Sequence, residues 1–184
     1  MNPPENMNRI SKFLSLILRH RPESVGITLD AHGWADVATL LRQMNAHGTI
    51  IDRALLDHIV ATNPKRRFAY DASGTKIRAS QGHSIAIDLD YTPRTPPEIL
   101  YHGTATGVIA AIRESGGLDK RARHHVHLSA DAETAIKVGQ RHGKPVVLRI
   151  AAGQMQRDGH VFYQSDNGVW LTERVPLAYI STDA

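Results

Sequence analysis

Apolar residues near the start of the chain recur with the period of a helix. Ile10, Phe13, Leu14, Ile17 and Leu18 occupy i, i+3, i+4, i+7 and i+8, while Arg9, Lys12 and Arg19 fall away from that stripe. The spacing predicts an amphipathic helix that ends before Pro22, since proline lacks the N–H that a further turn needs. Asp36 is placed to cap a second helix carrying Val37, Leu40, Leu41 and Met44, and Asp52 to cap a third carrying Leu55, Leu56, Ile59 and Val60. The period then drops to two. Arg67-Phe68-Ala69-Tyr70 and Lys76-Ile77-Arg78-Ala79 read as short strands joined by the turn Asp71-Ala72-Ser73-Gly74. Three helices followed by a hairpin predict a winged-helix lobe, a helix-turn-helix relative that presents basic residues to nucleic acid.

Residues 92–98 form the one proline-dense stretch, where neither a helix nor a central strand is favoured. A linker and a domain boundary near Pro96 are predicted there, with residues 1–95 as one lobe and 96–184 as the other. In the second lobe strands are expected at 99–101, 126–129, 145–150, 169–172 and 178–180, separated by helices at about 107–115 and 132–141. The fold class predicted for the whole chain is α+β.

Composition narrows the partners. A chain that is 41% hydrophobic and 22% charged can bury a core. The net charge of +4 is modest, but its arginines are clustered, which favours an anionic partner such as RNA, DNA or a dinucleotide. A merely basic surface explains the total equally well. The absence of cysteine removes disulfides, thiol nucleophiles and thiolate metal sites, and fits a reducing, cytoplasmic setting. No apolar run approaches the roughly 18 residues of a membrane span, and the polar start Met1-Asn2-Pro3-Pro4-Glu5-Asn6 lacks a signal-peptide profile.

Arg19-His20-Arg21 closes the first helix, where cations complement the dipole and bond free carbonyls with no further purpose. Lys65-Arg66-Arg67 follows Asn63-Pro64 at a helix–strand junction, the ordinary place for a solvated charge run. A second explanation covers both clusters: arginine's planar fork matches phosphate oxygens, and two forks with a histidine between them suit a phosphate dianion. In the second lobe, Tyr101-His102-Gly103-Thr104 is expected to end a strand on a glycine that admits close backbone approach. Alternation in His125-Val126-His127-Leu128-Ser129 puts His125, His127 and Ser129 on one face. These histidines have three readings: solvated surface, nucleotide hydrogen-bonders or, with His102, zinc ligands. Arg121 and Arg123 immediately upstream count against a dication.

Six stretches, in order, carry a resemblance. They are Ser11-Lys12-Phe13-Leu14-Ser15-Leu16-Ile17-Leu18-Arg19-His20, Lys65-Arg66-Arg67-Phe68, Ile77-Arg78-Ala79-Ser80-Gln81-Gly82-His83-Ser84, Leu100-Tyr101-His102-Gly103-Thr104, Arg123-His124-His125-Val126-His127-Leu128-Ser129 and Ser165-Asp166-Asn167-Gly168-Val169-Trp170-Leu171-Thr172. With them the chain resembles the NAD-dependent RNA 2'-phosphotransferase family, enzymes that remove the 2'-phosphate left at tRNA splice junctions in eukaryotes and that have bacterial homologues. The resemblance implies a winged-helix lobe receiving the 2'-phosphate of RNA and an ADP-ribosyltransferase-like lobe receiving NAD, with no metal. It carries the family's Arg-His-Arg-Arg catalytic set onto Arg19, His20, Arg67 and Arg123, its accessory phosphate-binding lysine onto Lys65, and its NAD-binding positions onto His102, Gly103, Thr104, His127 and Ser129. Val169 stands where many such transferases place a catalytic glutamate, and Arg121 stands where a methionine is expected two residues before Arg123.

The implied chemistry proceeds through an ADP-ribosylated RNA phosphate and yields 2'-hydroxyl RNA, nicotinamide and ADP-ribose 1'',2''-cyclic phosphate. No protein nucleophile is needed. Two other classes stay open on the residues alone: a non-enzymatic winged-helix regulator with a nucleotide-sensing second lobe, and a metal-dependent hydrolase.

Overall fold

A computed structural model describes residues 3–182; Met1 and Asn2 of the polar start lie outside the described residues, as do the last two of the chain. It is a mixed α+β structure that divides into two compact units between Asp90 and Tyr91.

The first unit contains α1 (Pro3–Arg19), β1 (Ala35–Asp36), α2 (Val37–Ala46), α3 (Arg53–Thr62), β2 (Phe68–Tyr70) and β3 (Lys76–Ala79). Ile10, Leu14, Ile17 and Leu18 of α1 are fully buried against Leu40, Met44, Leu56 and Ile77, so the apolar stripe does become the core. Asp36 accepts from the Thr39 N–H at 2.7 Å and Asp52 from the Leu55 N–H at 2.8 Å, each satisfying a helix-start donor that has no partner within the helix. β1 is an addition to the predicted hairpin. It pairs Ala35 with Ile77 and Asp36 with Lys76, giving an antiparallel sheet of order β1-β3-β2. Two residues carry no readable period, so the pattern could not show it.

The second unit contains β4 (Leu100–Ala105), α4 (Ile109–Glu114), β5 (Gly117–Asp119), β6 (Val126–Leu128), α5 (Ala132–Gly139), β7 (Pro145–Ile150), α6 (Ala152–Arg157), β8 (Phe162–Gln164), β9 (Trp170–Thr172), β10 (Arg174–Pro176) and β11 (Ile180–Thr182). Two antiparallel sheets, β11-β7-β4 and β6-β9-β8, enclose a core of Leu100, Val126, Leu128, Leu148, Ile150, Phe162 and Trp170. A backbone exchange between Tyr101 and Ser129 joins them, with N–H···O distances of 2.9 and 2.7 Å. A third, two-stranded ladder pairs β10 with β5.

Several expectations shift. The last strand starts at Ile180, after a 3-10 turn at Leu177–Tyr179, not at 178. β5, β8 and β10 were not anticipated, nor was the six-residue α6, whose Gly153 weakens any helical pattern. The proline stretch is no free linker: the Arg94 N–H donates to Phe162 O at 2.8 Å, and the Gly153 N–H to Glu98 O at 3.1 Å. Among the described residues no helix is long and apolar enough to cross a membrane.

Candidate active site

In the first unit α1 delivers Arg19 and His20 at its C-terminus, and the junction between α3 and β2 delivers Lys65 and Arg67. Residues 80–84, leaving β3, tie these two clusters together. The Ser80 N–H donates to Arg67 O at 2.8 Å and its hydroxyl to Arg66 O at 2.9 Å; four residues on, the Ser84 N–H donates to Arg19 O at 3.0 Å. The Ser84 hydroxyl lies 2.8 Å from Nδ1 of His20, which fixes the ring's orientation. Asn63 anchors the other cluster: its Oδ1 accepts from the Lys65 N–H at 3.1 Å and faces Nη1 of Arg67 at 3.5 Å, while its Nδ2 donates to Ser11 Oγ at 3.1 Å.

Arg19 does not stand out in water as a dipole-balancing cation would: its Nε and one Nη have almost no solvent-exposed surface. The basic run splits, with Lys65 and Arg66 exposed and Arg67 turned half inward. Arg66 has a φ of 42°, in the left-handed region that costs a non-glycine residue about 1–3 kcal/mol and concentrates at functional sites.

In the second unit β4 runs through to Ala105, so Gly103 lies inside the strand and does not end it. A Cβ on Gly103 would run into the Ala135 carbonyl, and one on Gly139 into the Thr104 carbonyl. Both glycines therefore let α5 pack backbone to backbone against β4, which gives Gly103 a structural reason to be glycine. Thr104 is buried beside it. β6 shows the expected alternation, with Val126 and Leu128 in the core and His125, His127 and Ser129 half-exposed on the other side.

His102 Nδ1 lies 3.0 Å from the His127 carbonyl oxygen, which can only accept, so the proton is on Nδ1 and Nε2 presents a lone pair. Burial of its ring, helped by the charges of Arg123, Arg121 and His142, holds His102 below the usual imidazole pKa although the His127 carbonyl pulls the other way. The neutral form is the one stabilised. Arg123 is exposed, and its Nη1 donates to Nδ1 of His127 at 3.2 Å, leaving the His127 proton on Nε2. The two imidazoles thus offer opposite hydrogen-bonding characters. Among the described residues no group of three or more His, Cys, Asp or Glu side chains is arranged to hold a metal ion, and His102, His125 and His127 make no such cluster.

Sequence reasoning missed Asn63, Ser80, Ser84 and Ser11 as supports of the basic set. One signal was available: a serine at position 11 on a face otherwise destined for the core, where a hydroxyl needs a partner.

The first unit thus holds arginines whose backbones are bonded by the 80–84 segment, and the second, taken by itself, holds two imidazoles of set tautomer. Over residues 5–174 the chain matches the RNA 2'-phosphotransferase, Tpt1 / KptA family, and it belongs to that family. It is 55% identical over 174 residues to a "Probable RNA 2'-phosphotransferase" of Agrobacterium fabrum, covering 95% of this chain and 93% of that one. Proteins of the same name from Pseudomonas aeruginosa (51% over 177 residues, 96% and 97% covered) and Streptomyces coelicolor (54% over 176 residues, 96% and 95% covered) are similar across the same extent.

Proposed function

We propose that this chain transfers an internal 2'-phosphate of RNA to NAD, releasing 2'-hydroxyl RNA, nicotinamide and ADP-ribose 1'',2''-cyclic phosphate. The observation that carries this reading is the 80–84 segment, which ties the carbonyls of Arg19, Arg66 and Arg67 and the ring of His20 into one basic set. Family membership supports the RNA phosphate as its ligand. In this reading the first lobe, residues 1–95 with its three helices and small sheet, is a winged-helix lobe for the 2'-phosphate. The second, residues 96–184, is an ADP-ribosyltransferase-like lobe for NAD, and the enzyme works in the cytoplasm without metal.

The first step joins an oxygen of the 2'-phosphate to the ribose carbon that bears nicotinamide, and the bond to nicotinamide breaks with its electron pair. Arg19, Arg67 and Lys65 hold the phosphate in line for this displacement. His102 accepts from an NAD ribose hydroxyl through Nε2, with Thr104, His127 and Ser129 completing the hydrogen bonds of the nucleotide; Gly103 contributes by close packing. In the second step the ribose O2'' attacks phosphorus, the bond from phosphorus to the RNA 2'-oxygen breaks, and that oxygen takes up a proton. Arg123 neutralises charge that develops on the phosphate here. His20, oriented by Ser84, serves the phosphate as ligand or proton carrier.

The test is incubation of the protein with an RNA bearing one internal 2'-phosphate, with and without NAD, and mass analysis of the products. The expected result is loss of the phosphate only with NAD, together with nicotinamide and the cyclic phosphate. RNA that keeps its phosphate in the presence of NAD would refute the reading.

A further inference from the structure

Beyond the basic set and the NAD residues, the second unit holds a groove of about 440 Å³, lined by Lys120, His124, His125, His160, Tyr163 and Glu173. That size falls within the roughly 300–1,000 Å³ of small-molecule sites. Two of its lining rings, His125 and Tyr163, belong to a cluster that Tyr91 completes from outside the lining. His125 and Tyr163 meet at 5.5 Å between centroids in a T-shaped contact, and Tyr91 stands 6.2 Å from His125 and 6.3 Å from Tyr163. All three rings keep part of their surface exposed. Half-exposed rings beside a groove leave aromatic faces for a flat ligand.

Charge argues against a phosphate as the principal occupant. Lys120 is paired with Glu173 at 3.3 Å, so the one permanent cation in the lining is balanced. The His125 imidazole is held toward its neutral form by burial and by the nearby His124 and Lys120, against a smaller opposing pull from Glu173. What remains is a set of ring faces and imidazole nitrogens, which suits a neutral planar group with donors and acceptors at its edge. Nucleobases have that description. The groove also adjoins the strand proposed for NAD: His125 immediately precedes β6, two residues before His127, and Arg123 is bonded to His127.

We propose that the groove around His125 and Tyr163 is a nucleobase-stacking site. This deepens the phosphotransferase reading and rests on it, since both reactants of that reaction carry bases. The base comes either from an RNA nucleotide beside the 2'-phosphate or from the adenine of NAD, and the experiment separates the two.

His125→Ala, Tyr163→Ala and Tyr163→Phe are compared with the unmodified chain for KM toward 2'-phosphorylated RNA and toward NAD. Loss of one base stack raises a KM by about tenfold. The expected result is such a rise for one reactant in both alanine variants, with kcat kept within about twofold and with Tyr163→Phe close to the unmodified chain. A rise confined to RNA assigns the RNA base, and a rise confined to NAD assigns adenine. Unchanged KM values in both alanine variants overturn the proposal. So does a fall in melting temperature that accounts for the lost activity. A direct readout is independent of turnover: the ring resonances of His125 and His160 in the intact chain are followed while AMP, a short oligouridylate or inorganic phosphate is added. Shifts with a nucleotide but not with inorganic phosphate support the site; no shift, or the same shift with inorganic phosphate, sinks it. If the unmodified chain releases no nicotinamide, the phosphotransferase reading fails while the resonances still decide the groove.

Discussion

The arginines of the two units are held in different ways. Arg19 and Arg67 sit at element ends whose carbonyls are captured by the 80–84 segment, and Asn63 faces the Arg67 fork. Arg123 lies in the irregular stretch between β5 and β6, is exposed, and rests on two bonds, its N–H to Lys120 O at 3.0 Å and its guanidinium to His127. Both segments contain a left-handed residue, Arg66 at φ 42° and Arg121 at φ 52°, so each spends backbone strain near an arginine. In the proposed reaction Arg19 and Arg67 grip the phosphate from the ground state onward and Arg123 meets charge that arises later, held in place for it by its bonds to Lys120 and His127.

The largest expected effect is on chemistry. Removing a preorganised donor from a transition-state anion costs about 10²–10³ in rate, so Arg19→Ala, Arg67→Ala and Arg123→Ala should each lose that much while remaining folded. The comparison sharpens if the losses differ in kind. Single-turnover assays should show Arg19→Ala and Arg67→Ala slow in nicotinamide release, and Arg123→Ala accumulating ADP-ribosylated RNA. The same block in all three would erase the distinction between the units.

Next in size is a structural effect. Gly103→Ala drives a Cβ into the Ala135 carbonyl, and overpacking of this sort costs typically about 1–3 kcal/mol. Chemical denaturation should show the lowered midpoint. An unchanged midpoint with a raised KM for NAD would return Gly103 to the ligand.

Smaller still are the supports. Asn63→Ala should raise KM for the phosphorylated RNA about fivefold to tenfold with KM for NAD unchanged, the value of one or two hydrogen bonds. Ser84→Ala, freeing the His20 ring, should act on kcat by a similar factor. Steady-state kinetics on both substrates separates these outcomes, and equal changes in both KM values would make the supports merely structural.

The smallest concerns acidity. His102 and His125 have folded pKa values below the about 6.5 of an unperturbed imidazole. The unfolded chain therefore binds more protons as pH falls, and the stability present above about pH 6.5 is lost as pH drops through the folded values. Melting temperatures should decline below about pH 6.5, less steeply in a His102→Gln, His125→Gln variant. Equal slopes would contradict the assignment.

Much of this was legible in the sequence because it rests on period and capping. The stripe from Ile10 to Leu18, the caps Asp36 and Asp52, and the alternation from His125 to Ser129 all appear as predicted. What escaped is non-local. Ser84 meets His20 across 64 positions and Asn63 meets Ser11 across 52, and no local pattern announces such a bond. Gly103 was legible as a close approach, but the approaching backbone is that of α5, which only the tertiary fold supplies. β1, β5 and β10 are held by their partners, not by a pattern of their own.

The central claim, that the phosphate is first joined to NAD and then released by the ribose itself, is met most directly by an NAD analogue lacking the O2'' hydroxyl. Displacement of nicotinamide needs only the sugar carbon and a phosphate oxygen, both still present, whereas the second step has lost its intramolecular attacker and the proximity that makes it fast. The unmodified chain should release nicotinamide and leave the ADP-deoxyribosyl adduct on the RNA in near-stoichiometric amount by mass. Dephosphorylated RNA appearing at an undiminished rate would contradict the account and indicate direct hydrolysis of the phosphate.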